Sequence, residues 1–298
     1  MANEWPHNYC GMKTTLDHLP KNKQYEIARI ADIILEVVNP EKIILFGSYA
    51  KGTYVEHKYQ TQDRIIHEYI SDYDFLVVTR NNPEKTYAQE ATIMDRVDRY
   101  DPPVNLEIHE IDYINRGLEF GQYFFTDIVN EGILLYDKGK VSFVKPKQLT
   151  VGEEKQIAQS YFEFWLAESQ PFLKGSAFFL EQGDLRHGAF NLHQATESLY
   201  YAVMLVFTGY KPKLHNLWKL RKKTKQYSIE LFTLFKAEAD KKEEALFDLL
   251  KRAYVEARYN EQNYNITGQE LNTLIERIRE MVAIVERICK EKIASLKV

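Results

Sequence analysis

Hydrophobic positions follow different rhythms in the two halves of this chain. In the first half, short apolar runs alternate with helical stretches. Ile27, Ile30, Ile33, Ile34, Val37 and Val38 recur at helical spacing, which predicts a helix over Lys21 to Val38, ended by Asn39-Pro40. Ile43 to Phe46 is a continuous apolar run, the pattern of a strand buried on both faces, and it stops at Gly47-Ser48. After a polar excursion, Asp72-Tyr73-Asp74 opens a second such run, Phe75 to Val78. Glu84 to Tyr100 predicts a charged helix, with Ala88, Ala91, Ile93, Met94 and Val97 as its inward side. Val104 to His109 alternates, which puts Asn105, Glu107 and His109 on one face of a third strand. Ile111 to Glu119 and Tyr123 to Asn130 read as short helices broken at Gly121, followed by a closing strand, Ile133 to Tyr136.

Beyond residue 147 strand signals are absent. Glu153 to Leu185, Phe190 to Phe207, Leu214 to Lys225, Ser228 to Phe235, Lys241 to Tyr259 and Gly268 to Lys297 carry apolar residues at spacings of three and four. Short connections between such helices predict an antiparallel bundle, with Pro171 kinking or interrupting the first of them. The aromatic run Tyr161, Phe162, Phe164 and Trp165 reads as bundle core.

The chemistry gathers at the first two strands. Side chains two apart on a strand point to one face, so Asp72 and Asp74 bring two carboxylates together at a strand mouth. They repel unless neutralised, and phosphoryl-transfer sites use such pairs to hold Mg²⁺. Gly47 and Ser48 offer backbone N–H groups and a hydroxyl to phosphate oxygens, and Lys51 adds a positive charge. Neither Gly-Ser nor Asp-x-Asp alone is specific. Together, on consecutive buried strands, they resemble the nucleotidyltransferase fold of the polymerase-beta superfamily, most closely its small prokaryotic members. The Gly121 to Ile128 and Glu131 to Asp137 segments resemble the end of that domain as it occurs in bacteria fused to helical domains, so the likeness spans Lys42 to Tyr136. One departure is length, because Thr53 to Ile70 is inserted where the family has a short spacing.

The resemblance implies Asp72 and Asp74 as catalytic metal ligands, Gly47, Ser48 and Lys51 as nucleotide-binding residues, and a third carboxylate on the third strand. The register match for that carboxylate is Asn105, an amide that cannot take a proton. Glu107, one step along the same face, becomes the substitute base. His109 reads as a structural histidine at a strand end.

In the second half, Phe190 to Glu197 followed by Gly209 to Leu217 resembles the HEPN domain (higher eukaryote and prokaryote nucleotide-binding), and the order nucleotidyltransferase then HEPN is a bacterial pairing. RNA-cleaving HEPN domains carry Arg, four to six residues, then His. Here Arg258 stands in place, but Tyr264 occupies the neighbourhood of the His, and a phenol with an ordinary pKa of about 10 is a poor proton shuttle. The expectation is a non-cleaving domain binding nucleotide through Arg258, Tyr264 and His215. Seven Lys or Arg and no acid between Lys211 and Lys225 form either a solvated helix face or a phosphate site.

Composition narrows the rest. At 298 residues, 45% hydrophobic and 28% charged, the chain is long enough for two domains. Up to Lys147 there are 17 basic and 23 acidic residues (−6), beyond it 22 and 20 (+2), which is not the balance of a general nucleic-acid binder. Cys10 and Cys289 lie near opposite ends without metal-ligand spacing, and no long apolar run or secretory signal is evident, so the cytosol is the expected compartment with no membrane partner.

The expected fold class is therefore α+β: a leader (1–20, with Met12 as an alternative start), a nucleotidyltransferase-fold α/β domain with a small mixed sheet (21–137), a linker (138–147) and an all-α HEPN bundle (148–298). The expected activity is Mg²⁺-dependent transfer of a nucleoside monophosphate from a nucleoside triphosphate, ATP first, to a hydroxyl acceptor. A catalytically weak nucleotide-binding or toxin–antitoxin-like interaction module is the alternative. Homodimer formation through the HEPN bundle is also implied by the resemblance.

Overall fold

The computed structural model describes residues 11–60, 66–212, 214–237, 240–259 and 264–297. The first ten residues of the expected leader, the middle of the insertion, Lys213 and the 260–263 part of the Arg258 motif lie outside them. The chain divides into two compact units, Met1–Gln148 and Leu149–Val298.

In the first unit, α1 (Lys21–Val38) leads into β1 (Lys42–Phe46), and α2 (Gly47–Lys51) is a single tight turn directly after it. The insertion forms a ribbon, β2 (Glu56–Gln60) with β3 (Ile66–Ile70), paired antiparallel and separate from the main sheet. No alternating pattern marked it in the sequence. Then come β4 (Tyr73–Thr79), α3 (Thr86–Val97), β5 (Val104–Glu110), α4 (Ile111–Phe120), α5 (Tyr123–Glu131) and β6 (Ile133–Asp137). The main sheet has four strands in the order β5-β4-β1-β6. β4 and β5 run parallel, joined through the α3 crossover that parallel neighbours require, and the other pairs are antiparallel.

Period-two alternation sorts the strands into two covered faces. Ile43, Leu45, Tyr73, Phe75, Val77, Val104 and Leu106 form one cluster with Ile27, Ile30 and Ile34 of α1 and Ile93 and Val97 of α3. Leu76 and Val78 point the other way, where α4 and α5 supply the buried residues Ile114, Leu118, Phe125 and Ile128. Both faces being buried explains the unbroken apolar runs. The acidic pair sits where β4 begins, on the α4/α5 side.

Lys13 bridges Ile133, and His18 Nε2 lies 2.8 Å from the Tyr49 carbonyl, so the described part of the expected leader packs on the unit. The expected linker lies along α4. Asn115 accepts from Val144 N–H (3.0 Å) and donates to the Ser142 carbonyl (3.2 Å), Lys147 N–H donates to Leu118 (2.9 Å), and Phe143 is buried.

The regular elements of the second unit's described residues are all helices: α6 (Val151–Glu181), α7 (Leu185–Thr208), α8 (Leu217–Thr224), α9 (Ile229–Thr233), α10 (Lys241–Arg252), α11 (Glu256–Tyr259) and α12 (Gly268–Ser295). Capping boxes start α6 and α12: Thr150 with Glu153, and Thr267 with Glu270. Pro171 does not interrupt α6, which runs through it; Ser169 donates to the Leu166 carbonyl (2.7 Å) in the preceding turn. The core is the α6/α7/α12 layer, with Leu199, Tyr200, Val203, Leu274, Ile278 and Met281 fully buried. No helix among the described residues is long and apolar enough to cross a membrane.

Candidate functional site

The α+β unit closes its polar residues onto one corner. Strand register places Asn105 of β5 directly beside Asp74 of β4, and Phe46 of β1 on the other side of Asp74. Asn105 Nδ2 donates to Asp72 Oδ2 at 2.9 Å and to Asp74 Oδ1 at 3.1 Å. Carboxylates only accept, so the side of the amide that faces them is the NH₂ group. Gly47, the residue after Phe46, has φ +74°, a conformation that disfavours a Cβ. A Cβ there would also run into Oδ2 of Asp74, so the backbone of the Gly-Ser turn and the acidic pair form one closely fitted corner.

Ser48 follows in that corner, half-buried, with its carbonyl receiving the N–H groups of Gly52 and Thr53. Lys51 is drawn aside into an ion pair with Glu131 at the end of α5. Glu107 and His109 share the face of Asn105 but lie deeper. Glu107 is 8% exposed and accepts from His109 Nε2 at 3.2 Å, while the His109 ring stacks on Tyr113 and meets Phe125 edge-on. Burial, followed by the nearby Glu107 charge, raises the Tyr113 pKa. Glu107 is thus a buried carboxylate directed at an imidazole one step further along its strand.

The donor set suits a hard divalent cation. Asp72 and Asp74 supply two carboxylates on one face, and the backbone of Gly47 lies directly against one of them. Among the described residues no group of three or more His, Cys, Asp or Glu is arranged to hold a metal, so a cation here would take its remaining ligands from elsewhere, such as triphosphate oxygens.

In the helical unit the expected ligand residues separate. Tyr264 is in the core, 2% exposed, with its hydroxyl on the Leu249 carbonyl (3.0 Å) and its pKa raised by burial, so it is withdrawn from any ligand. His215 and Arg258 do come together, on Tyr254. The His215 ring stacks on Tyr254 at 5.2 Å, and the Arg258 guanidinium lies 4.5 Å from the same ring. His215 Nδ1 pairs at 2.9 Å with Glu197, which is buried on α7. One turn earlier, His193 is fully buried, with Nδ1 on the Leu250 carbonyl at 3.0 Å and no hydrogen-bond partner at Nε2. Burial pulls the His193 pKa down to about 4. His193 and Glu197 were legible only as an i, i+4 pair on one helical face; nothing local linked them to His215 or Arg258.

The basic segment is partly structural. Arg221 has no exposed surface; its Nε and Nη2 donate to the carbonyls of Phe232 (3.0 Å) and Phe235 (2.7 Å), and its guanidinium lies 4.0 Å from the Phe232 ring. Lys211 lies over Tyr201 at 4.2 Å and Lys222 over Trp218 at 5.6 Å. The run is therefore neither a plain solvated face nor a uniform phosphate cluster.

Fold and geometry together define a small mixed-sheet α+β unit with an acidic strand mouth, followed by a helical bundle. Residues 162–288 match the family model of the HEPN domain, so the helical unit holds a HEPN domain. Among solved structures, a nucleotidyltransferase-like protein from Exiguobacterium sibiricum 255-15 is similar, at 12% identity over 90% of this chain and 78% of that one, with a TM-score of 0.31. None of the curated proteins matches.

Proposed function

We propose that the α+β unit binds a nucleoside triphosphate with Mg²⁺ and transfers its nucleoside monophosphate to a hydroxyl acceptor. Asp72 and Asp74 would hold the ion, and Gly47 and Ser48 would lie against the phosphates. The observation that carries this reading is the convergence of Asp72, Asp74 and Gly47 on one corner. Mg²⁺ bound there supplies charge neutralisation and polarisation at the reacting phosphate. In the reaction the acceptor oxygen bonds to the α-phosphorus, the bond from that phosphorus to the bridging oxygen breaks, and pyrophosphate leaves. The hydroxyl proton passes to a carboxylate, for which Glu107 is the candidate, with His109 holding it in place. Lys51 reaches the phosphates only by leaving Glu131.

The HEPN domain in this reading binds nucleotide or phosphate beside His215 and Arg258 and does not cut RNA, since Tyr264 is committed to the core. ATP is the first nucleotide to test, and the cytosol and a homodimer are the corresponding setting. The discriminating experiment is incubation of the full chain with labelled nucleoside triphosphates, Mg²⁺ and candidate hydroxyl acceptors. Asp72→Asn and Asp74→Asn should each abolish turnover with the fold retained, because an Asn can still accept the Asn105 amide through its side-chain oxygen. Turnover that survives both substitutions removes the assignment. Asn105 favours a second reading, a nucleotide-binding module with slow or no transfer; it predicts measurable nucleotide affinity with no labelled product.

A further inference from the structure

What separates this corner from one built of three carboxylates is the Asn105 side chain. Its NH₂ group is placed by the β4/β5 register, with Asn105 opposite Asp74 on a neighbouring strand about 4.8 Å away. It donates to one oxygen of each acid, at 2.9 and 3.1 Å. Each carboxylate thus has an oxygen engaged by the same amide, and the two acids are bridged without a cation. The consequence is electrostatic as well as steric. Two divalent ions about 3.5–4 Å apart need a dense anionic ligand set. A bound triphosphate brings negative charge of its own, so what the strand mouth lacks is a third anionic side chain: Asn105 is neutral and its NH₂ group already occupies one oxygen of each acid.

We propose that Asn105 makes this a single-ion site. It takes one divalent cation together with a nucleoside triphosphate, and the amide excludes a second ion that would otherwise bridge the acids and bind the acceptor hydroxyl. The inference rests on the nucleotide reading above and adds a stoichiometry and a residue that sets it. With no second ion, loss of the acceptor proton falls to Glu107 alone. Restoring a carboxylate at position 105 adds the missing charge.

The test counts ions and does not depend on turnover. The full chain is equilibrated with Mn²⁺ and a non-cleavable α,β-methylene analogue of ATP, and bound Mn²⁺ per bound nucleotide is measured by dialysis and by the loss of the free-ion paramagnetic resonance signal. One Mn²⁺ per nucleotide is expected for the wild type and two for Asn105→Asp, whose folding is checked by thermal melting. Two ions per nucleotide in the wild type would overturn the proposal, whatever the variant does. A folded Asn105→Asp protein that still binds one ion would also overturn it, since the amide would not be what excludes the second. Absence of nucleotide binding in both proteins would instead sink the nucleotide reading itself, a separate failure read from the nucleotide and not from the ion.

Discussion

Gly47 and Asp74 are fitted to each other: Gly47 adopts φ +74°, and a Cβ on it would overlap the Asp74 carboxylate. The contact makes the Gly-Ser turn and the acidic strand one mechanical object. Gly47→Ala should therefore cost about 1 kcal/mol in backbone strain alone, plus whatever is needed to push Asp74 off its Asn105 bond. Nucleotide affinity measured by fluorescence polarisation should fall at least tenfold, with a lower melting temperature. Unchanged affinity would separate the turn from the site.

Glu107→Gln tests the proton acceptor. Gln can still accept from His109 Nε2, so the fold should hold while the acceptor of the hydroxyl proton is lost. Under the transfer reading, kcat should fall at least tenfold with KM little changed. An unaltered kcat leaves the enzyme without this base and favours the binding module.

His193 sets a pH dependence on stability. Its pKa, held near 4 by burial, lies below the unfolded value of 6.5. Between these values the unfolded chain binds more protons than the folded one, so the contribution is fully present above about pH 6.5 and is lost as pH falls towards 4. The full effect is on the order of 3 kcal/mol. His193→Gln, which can donate to the Leu250 carbonyl, should flatten this part of the urea-midpoint profile. Parallel profiles for wild type and variant would show that His193 does not carry the slope.

Arg221 should matter for folding more than for ligand binding. Replacing it by Met strands the Phe232 and Phe235 carbonyls and removes a buried cation from an aromatic face. A loss of about 3 kcal/mol in denaturant unfolding is expected. Lys222→Ala, at an exposed position of the same helix, should cost well under 1 kcal/mol. Equal effects would return Arg221 to the surface.

The elements were legible because their signals are local. Apolar runs over Ile43–Phe46 and Phe75–Val78 marked strands buried on both faces, and three-and-four spacing from residue 151 onward marked the bundle, since each pattern repeats within one segment. The ribbon at Glu56–Gln60 and Ile66–Ile70 escaped notice because its polar sequence does not separate a buried face from a wet one.

By itself the sequence determined which side chains alternate together: Asp72 with Asp74, and Asn105 with Glu107 and His109. Tertiary structure alone decided what those groups touch. Register between β4 and β5 is set by a crossover and by packing on two faces, and it brought the Asn105 amide to both acids. Folding sent Lys51 to Glu131, buried Tyr264 and Arg221, and gathered His215 and Arg258 around Tyr254 from positions 43 residues apart. Such pairings depend on distance through space, which no periodicity along the chain encodes.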